Sequence, residues 1–262
     1  MKKSWKNGIC YLLLFSCCFV GGRVVAAKQA VKATSVSSCG KLAIVIDDFG
    51  YNGEGTDAML ALPIPLTAAV MPFSEHTLED AEKVQAAGKE VIIHMPMESL
   101  DGKPEWVGEK GIFRNMDDEG IKARVEEAFT ILPDAVGMNN HMGSAIMEDE
   151  RCVGIILDVL KEHEGFFVDS VTTAKSQGRA LTKEKGVPFL ARRVFLDSTD
   201  DVEVVKKNLR KAAEIALKDG EVVAIGHVGP EGGNVTVKAI ECLIPELEKA
   251  GITFVAASEL TK

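Results

Sequence analysis

The sequence is poor in cysteine pairs and in positive charge, and both deficits limit its possible functions. Three of its six cysteines fall within the first 18 residues, and Cys39, Cys152 and Cys242 lie far apart without metal-type spacing. A disulfide framework and a cysteine metal site are therefore not indicated, and we expect Cys152 and Cys242 to be buried small apolar residues. Lys and Arg number 30 against 39 Asp and Glu, which gives a formal net charge of −9 and argues against a nucleic-acid partner.

Two common catalytic motifs are also absent. The glycine-containing segment 229–233 has neither the spacing nor the lysine of a nucleotide-binding loop. No Gly-x-Ser-x-Gly elbow occurs, which argues against a serine hydrolase. With 46% apolar and 26% charged residues, the chain has the composition of a globular protein with a sizeable core.

The amino terminus has the pattern of a secretory signal peptide. Three lysines precede an apolar run over residues 9–20, and small residues at 25–27 offer a cleavage site. We therefore predict a cleaved signal at 1–27, a linker at 28–40, a folded domain at 41–262 and export to the periplasm or cell envelope. An uncleaved anchor is the alternative, although the run is short for a membrane span, and Cys17 leaves a lipoprotein open. After cleavage we expect no stable membrane span.

From residue 41 onward, strand and helix patterns alternate. Candidate strands are 42–47, 67–72, 90–95, 135–139, 166–169, 194–197, 222–227 and 252–256. Amphipathic patterns between them predict helices at 77–87, 117–132, 150–163 and 201–219, and Pro245 is expected to kink or divide a last helix. Seven or eight βα units in about 220 residues favour a single-domain α/β fold, an irregular (β/α) barrel.

One strand brings two acids to the expected site. Residues 42–46 form a continuous apolar run, typical of a parallel strand buried on both faces, and Asp47 and Asp48 follow directly. Ligands bind at the carboxyl ends of such strands. Because neighbours on a strand point to opposite sides, we expect the two acids to have different roles. The alternative to a functional role is that one of the two acids caps the following helix and the other is solvated.

Histidines close three further predicted strands. His94, His141 and His227 each follow an apolar run, and a single histidine in that position is usually a hydrogen-bonded core residue. Packing alone does not explain three of them beside an acid pair. Two histidines and one carboxylate form a mononuclear metal site, most often for zinc, that activates water, while another carboxylate and histidine supply base and acid.

Five motifs stand at the ends of the predicted strands, in this order: Ile46-Asp47-Asp48-Phe49-Gly50, His94-Met95-Pro96-Met97-Glu98, Asn139-Asn140-His141-Met142-Gly143-Ser144, Phe167-Val168-Asp169-Ser170 and Ile225-Gly226-His227. Together they resemble the divergent branch of the polysaccharide deacetylases, which is related to the NodB-homology enzymes of carbohydrate esterase family 4. The resemblance extends over nearly all of 41–260 and implies a distorted (β/α) barrel and metal-dependent hydrolysis of acetyl groups on a glycan.

The resemblance also implies residue roles. Asp47 matches the catalytic base, Asp48 and His94 match metal ligands, and His227 matches the general acid. The second histidine of the family's His-x-x-x-His ligand pair is Glu98 here. Either Glu98 is a ligand or His141 completes the site, and we expect His141, because imidazole suits zinc better than a second carboxylate.

Three further polar positions are expected to support the site or its surroundings. Asn140 is a supporting candidate, and Asp169 either orients the base or a substrate hydroxyl or, with Ser170, caps a helix beginning near Thr172. Arg192 and Arg193 precede the strand predicted at 194–197, and one of them can reach inward to hold a carboxylate of the substrate or the protein, although we expect a solvated pair.

The sequence thus predicts an exported, metal-dependent carbohydrate deacetylase with a divalent metal, most often zinc, and a glycan or acetylated sugar as substrate. A non-catalytic glycan- or partner-binding module of the envelope on the same barrel is the alternative, motivated by the change at Glu98. A metal-dependent phosphoesterase is a weaker third possibility, because few basic residues end the strands.

Overall fold

The structure, a computed structural model, describes residues 39–262, which belong to one compact unit. The predicted signal peptide, and the predicted linker apart from Cys39 and Gly40, lie outside the described residues. None of the described helices is long and apolar enough to cross a membrane. The described strands are β1 (Gly40–Phe49), β2 (Thr67–Val70), β3 (Glu90–Met97), β4 (Gly137–Met142), β5 (Phe166–Asp169), β6 (Phe189–Ala191), β7 (Val194–Phe195), β8 (Glu221–His227) and β9 (Ile252–Val255).

Helices connect most of these strands and cover the outside of the sheet. They are α1 (Thr56–Leu60), α2 (Thr77–Ala86), α3 (Pro104–Val107), α4 (Asp118–Ile131), α5 (Ser144–Met147), α6 (Glu150–Glu162), α7 (Gly178–Lys185), α8 (Val202–Asp219) and α9 (Gly233–Lys249). Short 3₁₀ helices lie at Gly229–Glu231 and Ala257–Leu260.

All strand pairs are parallel, and eight strands follow one another in the order β6-β5-β4-β3-β2-β1-β8-β7, with β9 joined to the first residues of β1. Strands β6 and β7 end this row, so the sheet forms a parallel half-barrel. This confirms the predicted α/β class and irregular (β/α) barrel, with nine strands instead of seven or eight. The additional strand, β6, has only three residues, too few to show a pattern in the sequence.

Strand β1 is buried on both faces, as predicted. Leu42, Ile44 and Ile46 pack into the large core that also contains the inner faces of the helices. The alternate residues Ala43 and Val45 pack into a smaller core with apolar side chains of β2, β3, β5 and β8. Successive side chains of a strand point to opposite faces, so both cores fix the position of β1 and of the acids at its end.

Strand register brings the polar strand ends together. Asp47 on β1 pairs with His227 on β8, and His94 on β3 pairs with Asn139 on β4. These residues share the carboxyl-end edge of the sheet, where ligands bind in folds of this type.

The structure corrects three local predictions. Helix α9 continues through Pro245 without division, because its buried side chains on both sides of the proline, Leu243, Ile244 and Leu247, hold it against the core, and a kink at Pro245 stays a prediction. No helix begins near Thr172, since α7 starts at Gly178. Cys242 is exposed, whereas Cys152 is buried as expected.

Candidate metal centre

Three side chains from three strands form a compact group of ligand atoms. Asp48 Oδ1 lies 3.3 Å from His94 Nε2 and 3.3 Å from His141 Nδ1. The two imidazole nitrogens are 3.1 Å apart. Within the described residues, this is the one group of three or more His, Cys, Asp or Glu side chains with the geometry of a metal site. The structure therefore places Asp48, His94 and His141 together.

The backbone at the end of β1 directs the side chains of Asp47 and Asp48 into one cleft. Asp48 has a φ of 68°, in the left-handed region that non-glycine residues seldom occupy. The pairing of β1 with β2 also shifts register between Ile46 and Phe49, as at a β-bulge. The simple alternation of a regular strand therefore fails here, and Asp47 and Asp48 line the same cleft instead of opposite faces.

The donor set fits a divalent cation. Asp48 Oδ1 is buried and has no hydrogen-bond partner within the described part of the chain, which is costly for a carboxylate oxygen unless a cation satisfies it. Tetrahedral ligands at about 2.0–2.1 Å from a zinc ion are roughly 3.3 Å from one another, close to the observed separations. Two imidazoles and one carboxylate are also ligands that zinc accepts.

An asparagine that the sequence prediction left out of the site orients His94. Asn139 Nδ2 donates to Asp47 Oδ1 at 2.8 Å, so its Oδ1 is the acceptor for His94 Nδ1 at 2.7 Å. That bond places the imidazole proton on Nδ1 and leaves the lone pair of Nε2 toward Asp48 and His141. Through these two bonds the buried Asn139 links Asp47 to the group of Asp48, His94 and His141.

The electrostatic environment favours a positive charge at this position. Although burial opposes ionisation, the imidazoles of His141 and His94 hold the pKa of Asp48 well below its ordinary value. Burial also disfavours a charged His94, but the carboxylates of Asp47 and Asp48 outweigh it and raise the pKa of His94. The negative charges of Asp47 and Asp48, which favour protonation of His94, also favour a bound metal cation.

Asp47 lies beside this group without belonging to it. Its Oδ2 is 3.7 Å from His94 Nε2, and its side chain is almost fully buried. Burial raises the pKa of Asp47 above its ordinary value, against the opposing effect of His94 and His227. A carboxylate with a raised pKa in a cleft suits a general base.

His227 forms a buried pair with an aspartate that the sequence did not reveal. Its Nδ1 donates to Asp197 Oδ1 at 2.9 Å. Asp197 Oδ2 accepts from the backbone N–H of His227 at 2.6 Å and from the Thr236 hydroxyl at 2.7 Å. Burial disfavours the imidazolium, yet the bond to Asp197 and the charge of Asp47 outweigh it and raise the pKa of His227 to about 9.

Glu98 has a different position from the ligand group. Its Oε2 accepts the backbone N–H of Arg114 at 2.7 Å, and Oε1 lies 3.4 Å from the Arg114 guanidinium. It therefore fixes the loop after β3, and the structure brings His141 rather than Glu98 to Asp48 and His94.

Asn140 and Asp169 hold loops at the cleft edge. Asn140 Oδ1 accepts the Ser170 N–H at 3.0 Å, and its Nδ2 donates to the Met142 carbonyl at 2.7 Å. Asp169 accepts the N–H of Val171 and the hydroxyl of Ser176. With both carboxylate oxygens bonded in this way, Asp169 stabilises the loop after β5 and makes no hydrogen bond to Asp47.

The loop after β1 depends on a buried acid from α2. Asp80 Oδ2 accepts the backbone N–H groups of Gly50 at 2.7 Å and Asn52 at 2.9 Å. Both residues have positive φ angles, so the turn has an unusual backbone that these two bonds stabilise. Asp80 thus supports the segment that carries Asp47 and Asp48.

These residues line a cleft of about 190 Å³ at the carboxyl ends of the strands. Its walls include Asp47, Asp48, His94, His141 and His227, together with Asn140, Met142, Ser170, Thr172, Arg192, Phe195 and Ile225. A buried carboxylate, a histidine with a raised pKa and a group of three candidate metal ligands thus face one small volume. Such an arrangement can hydrolyse an ester or amide.

Comparisons with known proteins show the family and the fold. Residues 44–261 match the family model described as divergent polysaccharide deacetylase. The uncharacterized protein YibQ of Escherichia coli K12 is 34% identical over 238 residues, which are 90% of this chain and 72% of that protein.

Solved structures share the fold at low sequence identity. The uncharacterized protein ATU2773 of Agrobacterium tumefaciens C58 has a TM-score of 0.76 and 18% identity, over 86% of this chain and 91% of that one. The peptidoglycan N-acetylglucosamine deacetylase Bc1960 has a TM-score of 0.52 and 14% identity, over 84% and 86%. A mutant of BA3943 from carbohydrate esterase family 4, a pseudoenzyme with restored activity, has a TM-score of 0.54 and 11% identity, over 86% and 69%.

Proposed function

The chain belongs to the divergent polysaccharide deacetylases, and from this premise we propose that it is a metal-dependent hydrolase that removes acetyl groups from a carbohydrate. The observation that carries the proposal is the group of Asp48, His94 and His141 beside Asp47 and His227 in one cleft. We further propose that the protein acts in the periplasm or cell envelope after removal of residues 1–27, on the basis of the amino-terminal pattern.

Asp48, His94 and His141 hold the metal in this proposal, and zinc is the ion that suits them best. When bound, a divalent ion supplies a Lewis acid for the scissile carbonyl and for the attacking water. The chain's own contribution is to fix the ligands: Asn139 sets the tautomer of His94, and the left-handed backbone at Asp48 directs the carboxylate.

Asp47 and His227 divide the proton transfers. Asp47 accepts the proton of the attacking water, because its carboxylate lies in the cleft and its raised pKa increases its basicity. His227 carries a proton at neutral pH and donates it to the departing amine or alkoxide. Asp197 holds the imidazole through Nδ1 and stabilises its charge.

Release of acetate under control of the metal tests this function. We expect the metal-loaded protein to release acetate from acetylated glucosamine oligomers or peptidoglycan, to stop after chelation, and to recover when zinc is restored. An Asp48→Asn variant is expected to show no recovery, because it lacks the anionic ligand. Full hydrolysis by the metal-free protein would contradict the proposal.

The pH profile gives an independent test of the general acid. Because His227 must be protonated to act as the acid, and its bond to Asp197 raises its pKa, activity is expected to fall at alkaline pH as the imidazolium loses its proton. Asp197→Asn removes the charge that stabilises the imidazolium, so we expect the alkaline limb of kcat to move to lower pH by roughly one to two units.

A matched control separates this effect from general loosening of the site. Thr236→Val removes the hydroxyl bonded to Asp197 Oδ2 but leaves the bond between Asp197 Oδ1 and His227. We expect its alkaline limb to stay near that of the wild type. An unmoved limb in Asp197→Asn would show that His227 is not the acid.

The alternative function is a glycan-binding module without catalysis, and the pseudoenzyme among the structural neighbours is the observation that favours it. It predicts stoichiometric glycan binding that survives chelation, with no acetate released. The binding-module hypothesis was based on the loss of a metal ligand, because Glu98 stands where the family motif has a histidine. The position of His141 weakens that argument, since His141 is available as a third ligand.

A further inference from the structure

A half-buried arginine lines the cleft, and no acid pairs with it. Arg192 is the one Lys or Arg side chain among the described residues that form the cleft wall. No carboxylate within residues 39–262 lies within 4.0 Å of its guanidinium, whereas the adjacent Arg193 is exposed and pairs with Asp219 at 3.2 Å. The prediction of a solvated pair is therefore wrong for Arg192, which is half-buried in the cleft wall, and right for the exposed Arg193.

The guanidinium is held in place by neutral groups. Arg192 Nε donates to the Ser170 carbonyl at 2.6 Å, and Nη2 donates to the Val171 carbonyl at 2.9 Å. The guanidinium carbon lies 5.2 Å from the centre of the Phe195 ring. In the described part of the chain, Nη1 makes no hydrogen bond.

The nearby acids are already engaged. Asp169 and Asp47 act on Arg192 through space, but Asp169 binds Val171 N–H and the Ser176 hydroxyl, and Asp47 accepts from Asn139. Burial lowers the pKa of Arg192, as expected for a cation without a close counter-ion. A fixed, planar and uncompensated guanidinium is a preorganised receptor for a carboxylate.

The location of Arg192 limits where that carboxylate lies on the substrate. The Phe195 ring contacts both Arg192 and the general acid: its centre lies 5.2 Å from the Arg192 guanidinium carbon and 4.9 Å from the centre of the His227 ring. Arg192 and His227 line the same cleft of about 190 Å³, so an anion at Arg192 shares one small volume with the reacting group. A carboxylate carried by the acylated sugar itself can reach this position.

We propose that Arg192 binds a carboxylate of the substrate, and that the substrate is an acidic acylated sugar. The inference rests on the proposed function and adds its substrate class. Because the chain is acidic overall, with a formal net charge of −9, a local cation in the cleft offsets the general repulsion of an anionic substrate.

Binding of three related sugars tests this inference. The first probe, N-acetylmuramic acid, carries a free lactyl carboxylate. Its methyl ester keeps the lactyl group without the charge, and N-acetylglucosamine lacks the lactyl group altogether. Their Kd values are measured by calorimetry on metal-loaded protein carrying Asp47→Asn, so that no probe is consumed. We expect the acid to bind roughly 10- to 100-fold more tightly than the ester, as a charge-assisted bidentate contact provides.

Arg192→Gln in the same protein is expected to abolish the preference for the acid and to leave the affinity for the ester within about twofold. Arg193→Gln is the matched control and is expected to keep the preference. If Arg192→Gln weakens all three probes equally, Arg192 only stabilises the loop at Ser170 and Val171, and the inference is wrong. Equal binding of acid and ester by the parent protein, or binding of neither, also overturns it.

The binding preference and acetate release together distinguish failure of this inference from failure of the proposed function. A preference for the acid that depends on Arg192, together with no acetate release by protein with Asp47 intact, supports the acidic ligand and contradicts the deacetylase. Acetate release without any preference for the acid supports the deacetylase and contradicts the role of Arg192.

Discussion

Replacing His141 with alanine is expected to remove the bound metal, whereas replacing Glu98 with alanine is expected to leave it in place. His141 Nδ1 is 3.3 Å from Asp48 Oδ1 and 3.1 Å from His94 Nε2, so it completes the ligand group. Glu98 instead binds the backbone and side chain of Arg114. Even residues behind the ligands change metal affinity by about 10- to 100-fold, so loss of a ligand is expected to cost more.

Elemental analysis after dialysis measures this difference. We expect about one divalent ion per chain in the wild type and in Glu98→Ala, and almost none in His141→Ala. Thermal unfolding of the metal-free proteins serves as the control for folding. The reverse pattern, with metal lost from Glu98→Ala and kept in His141→Ala, would assign the third ligand to Glu98.

The same comparison also bears on catalysis. His141→Ala is expected to lose acetate release together with metal, and added zinc is expected to restore neither. His141→Gln offers a milder variant, since its amide oxygen is a weaker ligand. Recovery of activity in His141→Gln at high zinc concentration would support a role in metal binding.

Long apolar runs made the framework of the site predictable. The runs leading to Asp47, His94 and His227 are buried strands of the parallel half-barrel, and parallel strands bring their carboxyl ends to one edge. The sequence alone therefore predicts that these three residues lie at one edge of the sheet. Their order along the chain also carried the family resemblance.

The supporting residues could not be predicted in the same way. Asp197 stands before a short polar segment in which other acids follow, and nothing local distinguishes the one that meets His227 across the sheet. Asn139 appears beside Asn140, and only tertiary contacts show that Asn139 bridges Asp47 and His94. The left-handed conformation of Asp48 has no sequence signal, because glycine usually occupies that region.

Asp47→Asn is expected to keep the metal and to lose roughly 10²- to 10⁴-fold in kcat, the usual contribution of a general base. The substitution preserves the shape of the side chain and an oxygen that accepts from Asn139 Nδ2. It removes the basic carboxylate and leaves Asp48, His94 and His141 unchanged.

Asp48→Asn is the matched comparison, because it makes the same chemical change at the next residue of β1. We expect this variant to lose metal and activity together, since Asp48 Oδ1 is the anionic atom of the ligand group. Metal content and kcat therefore separate the two acids: one variant is loaded and inactive, and the other is empty and inactive. Equal metal loss in both would show that Asp47 is also a ligand and that the base lies elsewhere. Near-normal kcat in loaded Asp47→Asn would likewise remove Asp47 from the chemistry, although it faces the cleft and neighbours the ligand group.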